Sequence, residues 1–243
     1  MAPVGFGDRV EGLHAVSAAA GAGRVRELWV ESHRLVRPEY SDLADEVRSR
    51  GGQVRETADV LERAESAAPQ GVVAVCEPKQ SSTLEHLTGL TTPAAVVVLD
   101  HVLDPQNVGA IARSAACAGF AGLVVSVRRA APLSASAFKA AAGAFECLAV
   151  AQVNSIADAV ARLQKLGLWA IGLEAGAPAQ LWDQPLLTEP LALVVGEEGS
   201  GLSRLVGERL DLVVSIPLAP GTESLNVSVA TALAVFEVAR QRR

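Results

Sequence analysis

Residues 216–240 read IPLAPGTESLNVSVATALAVFEVAR, and their periodicity decides what kind of fold the chain can adopt. A short apolar strand at 212–216 runs into a loop built on Pro217, Pro220 and Gly221. The loop feeds a helix predicted over 224–240 whose apolar residues recur all round the axis. A helix with almost no polar face belongs inside a protein. Its first turn nevertheless carries Ser224 and Asn226, placed where a helix presents unsatisfied N–H donors and the positive end of its dipole. Polar residues there act as ordinary caps or as part of a binding site, and this stretch alone leaves both open.

Upstream of that helix, apolar strands at 94–99, 123–126, 148–151, 169–172, 192–195 and 212–216 alternate with helical stretches at 107–119, 134–142, 156–166 and 202–206. Short apolar strands alternating with helices predict an α/β fold, a parallel sheet with helices on both faces. In such sheets ligands sit beyond the carboxyl ends of the strands. A Pro-, Ser- and Thr-rich stretch at 78–93 reads as a linker, which makes 94–243 one domain of ordinary size. Residues 1–77 form a smaller α/β unit, with helices predicted at 12–20, 40–50 and 58–66 and strands at 27–30, 53–55 and 72–76. That unit lacks polar constellations suited to catalysis, so it reads as a recognition module.

Half of the 243 residues are apolar, enough for a real core. No run of about 18 apolar residues appears, and the opening MAPVGFGDRVEG has no apolar signal core, so a soluble cytoplasmic protein without membrane association is expected. Cys76, Cys117 and Cys147 have small or apolar neighbours and no CxxC spacing, which makes them core residues, and the scattered histidines argue against a metal. A net charge of −6 excludes coating of nucleic acid by bulk attraction. A local patch remains available in Arg9, Arg24, Arg26, Arg34 and Arg37 with His14 and His33, against the competing reading of a solvated helix face.

Three strand-to-helix junctions are unusual. In LDHVLDPQNVGAIARSAACAGF, residues 99–120, Asn107 sits where a cap belongs and Arg113 lies inside an otherwise apolar helix. The two are about 120° apart round the axis and roughly 9 Å along it, so they do not make a site by themselves. Arg113 either snorkels to water or faces an anion. In LALVVGEEGSGLSRL, residues 191–205, glycines after a buried strand let backbone approach a ligand, but Glu197 and Glu198 would repel a pyrophosphate. This is neither GxGxxG nor a P-loop, which counts against a nicotinamide dehydrogenase. A cofactor with a cationic centre and hydroxyl groups suits the loop better. The third junction is the opening stretch, and the three together predict one composite pocket.

The motifs DPQNVGAIARSA, VVGEEGSGL and IPLAPGTESLNVSVATALAVFE, with EGLHAV near the N-terminus, make the chain resemble the SpoU family of RNA ribose 2′-O-methyltransferases in the SPOUT superfamily. It is most similar to the branch that methylates a guanosine of 23S rRNA. The resemblance implies a catalytic set of Asn107, Arg113, Glu198, Ser224 and Asn226. It also implies a cradle for S-adenosylmethionine at Val195, Gly196, Glu198, Gly199, Ile216, Leu218, Ser224, Leu225 and Asn226. A deep C-terminal trefoil knot, a homodimer with its active site near the subunit interface, and an RNA-binding N-terminal domain follow from the same resemblance. The same reaction on tRNA, or a non-catalytic ribosome-assembly factor of this fold, are the alternatives. The resemblance makes Arg113 the candidate for activating the 2′-hydroxyl, yet a guanidinium holds its proton at ordinary pH. Either a phosphate partner and burial change its state, or Arg113 anchors phosphate and stabilises a developing alkoxide, and the second is the favoured expectation.

Overall fold

The computed structural model describes residues 5–128, 130–182 and 184–243; residues 1–4 of the opening stretch lie outside them. The first unit comprises β1 (Arg9–Glu11), α1 (Leu13–Gly21), β2 (Val25–Glu31), α2 (Pro38–Ser49), β3 (Gln53–Thr57) and β4 (Val72–Cys76). Its sheet has the order β1-β4-β2-β3, with β2 and β3 parallel and β4 antiparallel to both its neighbours. The second unit contains α3 (Leu84–Thr88), β5 (Ala95–Leu99), α4 (Pro105–Cys117), β6 (Gly122–Ser126), α5 (Ala135–Ala141), α6 (Ala144–Cys147) and β7 (Ala149–Val153). It continues with α7 (Ile156–Lys165), β8 (Trp169–Leu173), β9 (Ala179–Gln180), β10 (Leu191–Val195), α8 (Arg204–Gly207), β11 (Leu212–Ser215) and α9 (Val227–Gln241).

These strands form a seven-stranded parallel sheet in the order β7-β6-β5-β10-β8-β11-β9. Alternation along the central strand explains the two helical layers. Ala95, Val97 and Leu99 of β5 pack with residues of α4, α5 and α9, while Val96 and Val98 pack with α3, α7 and α8. Each fully buried Val or Leu contributes about 1.5–3 kcal/mol, so a strand buried on both faces reads as an uninterrupted apolar run. Because β10 lies between β5 and β8, the loops after β5, β10, β8 and β11 open side by side on the carboxyl edge. Among the described residues no helix is long and apolar enough to cross a membrane.

One apolar core runs through both units. The Phe138 ring lies between Phe6, at 6.3 Å, and Phe145, at 4.7 Å. Beside it the Arg24 guanidinium donates to both carboxylate oxygens of Glu146, at 2.9 and 2.5 Å, in a pair that is almost wholly buried. Gly7 has φ +68°, and a Cβ there would come within 2.2 Å of the Phe138 ring, so only glycine lets the chain pass.

Several sequence expectations are corrected. The stretch 78–93 is not a bare connector, since α3 lies in it, capped by Thr83 and packed against β5, β7 and α7. The helix expected at 58–66 is a single 3-10 turn at Leu61–Arg63, because the fully buried Glu11 carboxylate takes the N–H groups of Glu65 and Ser66 that a helix would use. Cys76 is buried, but Cys117 and Cys147 are exposed at the last positions of α4 and α6. The expected basic patch is largely self-neutralised: Arg9 pairs with Glu65, Arg24 with Glu146, Arg26 with Glu77, and both His33 and Arg34 lie against Glu31. Finally, α9 starts three residues later than expected and is buried along one side only, with Val229, Leu233 and Phe236 each more than 40% exposed.

Candidate active site

The N-terminus of α9 is set by Asn226. Its backbone is non-helical, with φ −53° and ψ 139°, and its side-chain oxygen accepts from the N–H groups of Ser228, at 2.9 Å, and Val229, at 3.3 Å. That is an N-cap, and it leaves the amide nitrogen of the same side chain free to donate elsewhere. The Nδ2 group reaches Asn107 Oδ1 at 3.1 Å and also bonds Glu198 Oε1. Glu198 Oε1 in turn accepts from Val227 N–H at 3.3 Å, placing a carboxylate on the positive end of the α9 dipole. One asparagine thus ties together the loops after β5, β10 and β11.

Asn107 does not cap α4. Asp104 does, accepting from Gln106 N–H at 2.8 Å, and Pro105 occupies the first helical position. Asn107 is therefore the third residue of the helix, within its first turn, buried, and bonded to Asn226. Ser224 lies ahead of α9 rather than in its first turn, exposed in the loop that Pro217, Pro220 and Gly221 hold away from helical geometry. Arg113 stands apart from the asparagine pair: it is exposed on α4 and makes no side-chain hydrogen bond or ion pair among the described residues.

The glycine loop folds back on itself. Glu197 and Gly201 exchange backbone hydrogen bonds at 3.1 and 3.0 Å, so their N–H groups are taken within the loop. A Cβ on Gly196 would lie 2.2 Å from the Gly201 carbonyl, so glycine is required for this closure. Beyond the loop opens a cavity of about 630 Å³, within the usual range for small-molecule sites. Val195, Gly196, Glu198, Gly199, Ile216, Leu218, Ser224, Leu225 and Asn226 all lie on its wall. Leu173, the last residue of β8, and Glu174 and Ala175 after it also line the cavity and were not anticipated. The carboxyl end of β8 was the available signal, because it neighbours β10 and β11 in the sheet. The wall combines apolar side chains, backbone and the carboxylates of Glu174, Glu197, Glu198 and Glu223, a lining fit for an uncharged ring and a cation.

The sequence pattern of the SpoU rRNA Methylase family matches residues 94–236. The chain belongs to that family. The N-terminal unit of this SpoU protein matches, over residues 9–82, the pattern described as RNA 2′-O ribose methyltransferase substrate binding. It is 36% identical to the 23S rRNA (guanosine-2′-O-)-methyltransferase RlmB of Shewanella oneidensis, over 97% of this chain and 98% of that one. The RlmB of Pseudomonas putida is likewise 36% identical, over 97% of each. The crystal structure of the SpoU methyltransferase AviRb from Streptomyces viridochromogenes, in complex with the cofactor AdoMet, superposes with a TM-score of 0.80 at 27% identity. That match covers 96% of this SpoU chain and 90% of AviRb.

Proposed function

We propose that this protein transfers a methyl group from S-adenosylmethionine to a ribose 2′-hydroxyl of RNA in the cytoplasm, and that its target is a guanosine of 23S rRNA. The observation that carries the reading is the Asn226 junction, which joins Asn107 and Glu198 on the wall of the cavity. S-adenosylmethionine fits that wall: carboxylates suit its sulfonium and amino group, and Leu173, Ile216, Leu218 and Leu225 suit its adenine. When bound, it supplies the methyl group and leaves as the neutral thioether.

The chain's own residues then have distinct tasks. Glu198 and Asn226 fix the start of α9 and the glycine loop against each other, which gives the cavity a set width. Asn107, buried beneath them, holds the α4 end of the same network. Transfer needs in-line approach of the ribose oxygen, so a rigid wall supplies much of the rate. Arg113 has every donor available for the target phosphate and for the alkoxide that develops as the 2′-hydroxyl gives its proton to solvent water. Ser224, exposed on the cavity wall, is assigned to ribose or cofactor hydroxyls.

The reading includes a homodimer. Val229, Leu233 and Phe236 of α9, with Ala110 of α4 and with Trp182 after β9, leave an apolar face open to solvent. Arg113 borders that face, three residues from Ala110 and next to Ser114. A second copy seated there would bury the face and bring an arginine to the active site across the interface. The knot belongs to the same reading, supported by β10 lying between β5 and β8 and by α9 returning against α4. Methyl transfer from labelled S-adenosylmethionine to ribosomal RNA, followed by mapping of the modified nucleotide, tests the proposal. Label on a base, on tRNA alone, or nowhere would refute it.

A further inference from the structure

We propose that the carboxyl ends of β5 and β6 form a docking ledge for the unpaired RNA that flanks the target ribose. The inference rests on the methyl-transfer reading and adds where the substrate lies. Two segments build the ledge, residues 100–104 after β5 and the described residues 127, 128, 130 and 131 after β6, and the Ala131 N–H stitches them by donating to the Val102 carbonyl at 2.9 Å. The Asp100 N–H donates to the Val195 carbonyl at 2.9 Å, and Asp100 Oδ2 accepts from Ser203 N–H at 2.7 Å. Those two bonds fasten the ledge to both ends of the glycine loop, so ledge and cavity share a wall.

Charge singles out this surface. An acidic chain must meet RNA with cations it has not already paired, and among the described residues only Arg37, Arg113, Arg128, Lys165 and Arg243 lack a side-chain partner. Lys165 ends α7 ahead of β8, and Arg243 follows a residue bound to Pro93 and Ala94; both lie at the opposite edge of the sheet. Arg37 belongs to the N-terminal unit and Arg113 to the body of α4. Among the described residues, Arg128 is therefore the unpaired cation at the strand ends themselves, and it is exposed.

The remaining side chains on the ledge suit bases rather than phosphates. His101 has φ +61°, a left-handed conformation that histidine adopts at a cost. Its Nδ1 lies 2.6 Å from the fully buried Asp100 carboxylate, which fixes the ring angle while 37% of the side chain stays exposed. Leu103 on the same segment and Val127 on the segment after β6 are 53% and 50% exposed. A held aromatic ring, two apolar side chains and a free guanidinium match single-stranded RNA, whose bases stack and whose phosphates need cations.

The test starts with the wild-type protein, which must bind S-adenosylmethionine in calorimetry and methylate 23S rRNA transcribed in vitro; failure there overturns both the reading and the ledge. Filter binding of that rRNA and of a short oligouridylate across a salt series then compares Arg128→Gln, His101→Asn and Lys165→Gln. Asparagine tolerates the left-handed backbone and still donates to Asp100, so His101→Asn removes the ring without unfolding the turn. Arg128→Gln should lower the slope of log affinity against log salt by about 0.7. His101→Asn should weaken binding about fivefold or more, the low end of one base stack. Cofactor affinity should be unchanged in both, and Lys165→Gln should match the wild type. Wild-type slope and affinity in Arg128→Gln and His101→Asn, or an equal loss in Lys165→Gln, would overturn the ledge and leave the methyl-transfer reading standing.

Discussion

Two regions place arginine among apolar neighbours and use it in opposite ways. Where the two units join, Arg24 spends its donors on Glu146, Gly7 and Glu77. At the end of the chain Arg242 does the same with the carbonyls of Leu187, Pro93, Ala94 and Glu189. Burial draws the Arg242 guanidinium below its ordinary pKa, with the Glu189 charge opposing. On α4 the situation reverses: Arg113 has no partner among the described residues and stands in solvent. An arginine whose donors are all taken is a fastener, and one whose donors are all open is available to a ligand.

Breaking a fastener should cost stability, and the largest effect is expected at the unit junction. Glu146→Gln leaves the buried Arg24 charge uncompensated and should lower unfolding free energy by about 3–5 kcal/mol, read by denaturant titration. Arg113→Ala should instead cut turnover by roughly 10²–10³-fold, the loss typical of removing one stabilising donor, with the melting temperature unmoved. Arg113→Lys should keep substantial turnover if the role is electrostatic; activity as low as that of the alanine variant would count against it. A melting temperature that falls in Arg113→Ala as far as in Glu146→Gln would erase the contrast altogether. Arg242→Ala should cost roughly 2–3 kcal/mol, because its carbonyl partners are less enclosed and can turn to water.

Asn226 sits between the two cases, since it both caps α9 and lines the cavity. Asn226→Ala should lose about 1 kcal/mol of stability and a measurable part of cofactor affinity in calorimetry. The smallest effect concerns Cys76, whose thiol is pushed up to about 12 from the ordinary 9.0 by burial. Raising an acid's pKa on folding favours its neutral form, so this stabilisation is complete below about pH 9 and is lost as pH rises toward 12. Alkylation of the folded protein at pH 8 should therefore modify Cys117 and Cys147 and spare Cys76.

The sheet was legible because β5 and β10 are buried on both faces, leaving uninterrupted runs such as AVVVL and LALVV. The joined junctions were legible from their position at strand ends. What escaped the sequence depended on distant partners. Glu11 unwinds the helix expected at 58–66 from more than fifty residues away. Asp104, a slightly earlier polar residue, takes the capping role expected of Asn107, which releases Asn107 for Asn226. The apolar residues all round α9 were read as burial, yet one stripe of them faces solvent in the single chain. The basic N-terminal stretch misled for the same reason, because the acids that neutralise Arg24 and Arg26 lie far along the chain.

The continuous core between the two units, with Phe138 clamped by Phe6 and Phe145, has a consequence for how a target is chosen. A reader domain on a loose tether samples many separations from the reacting centre, whereas one bolted to it offers a single span. On the methyl-transfer proposal the molecule would work as a calliper: an RNA would be acceptable only when the feature met by the small jaw and the ribose to be modified are spaced to match.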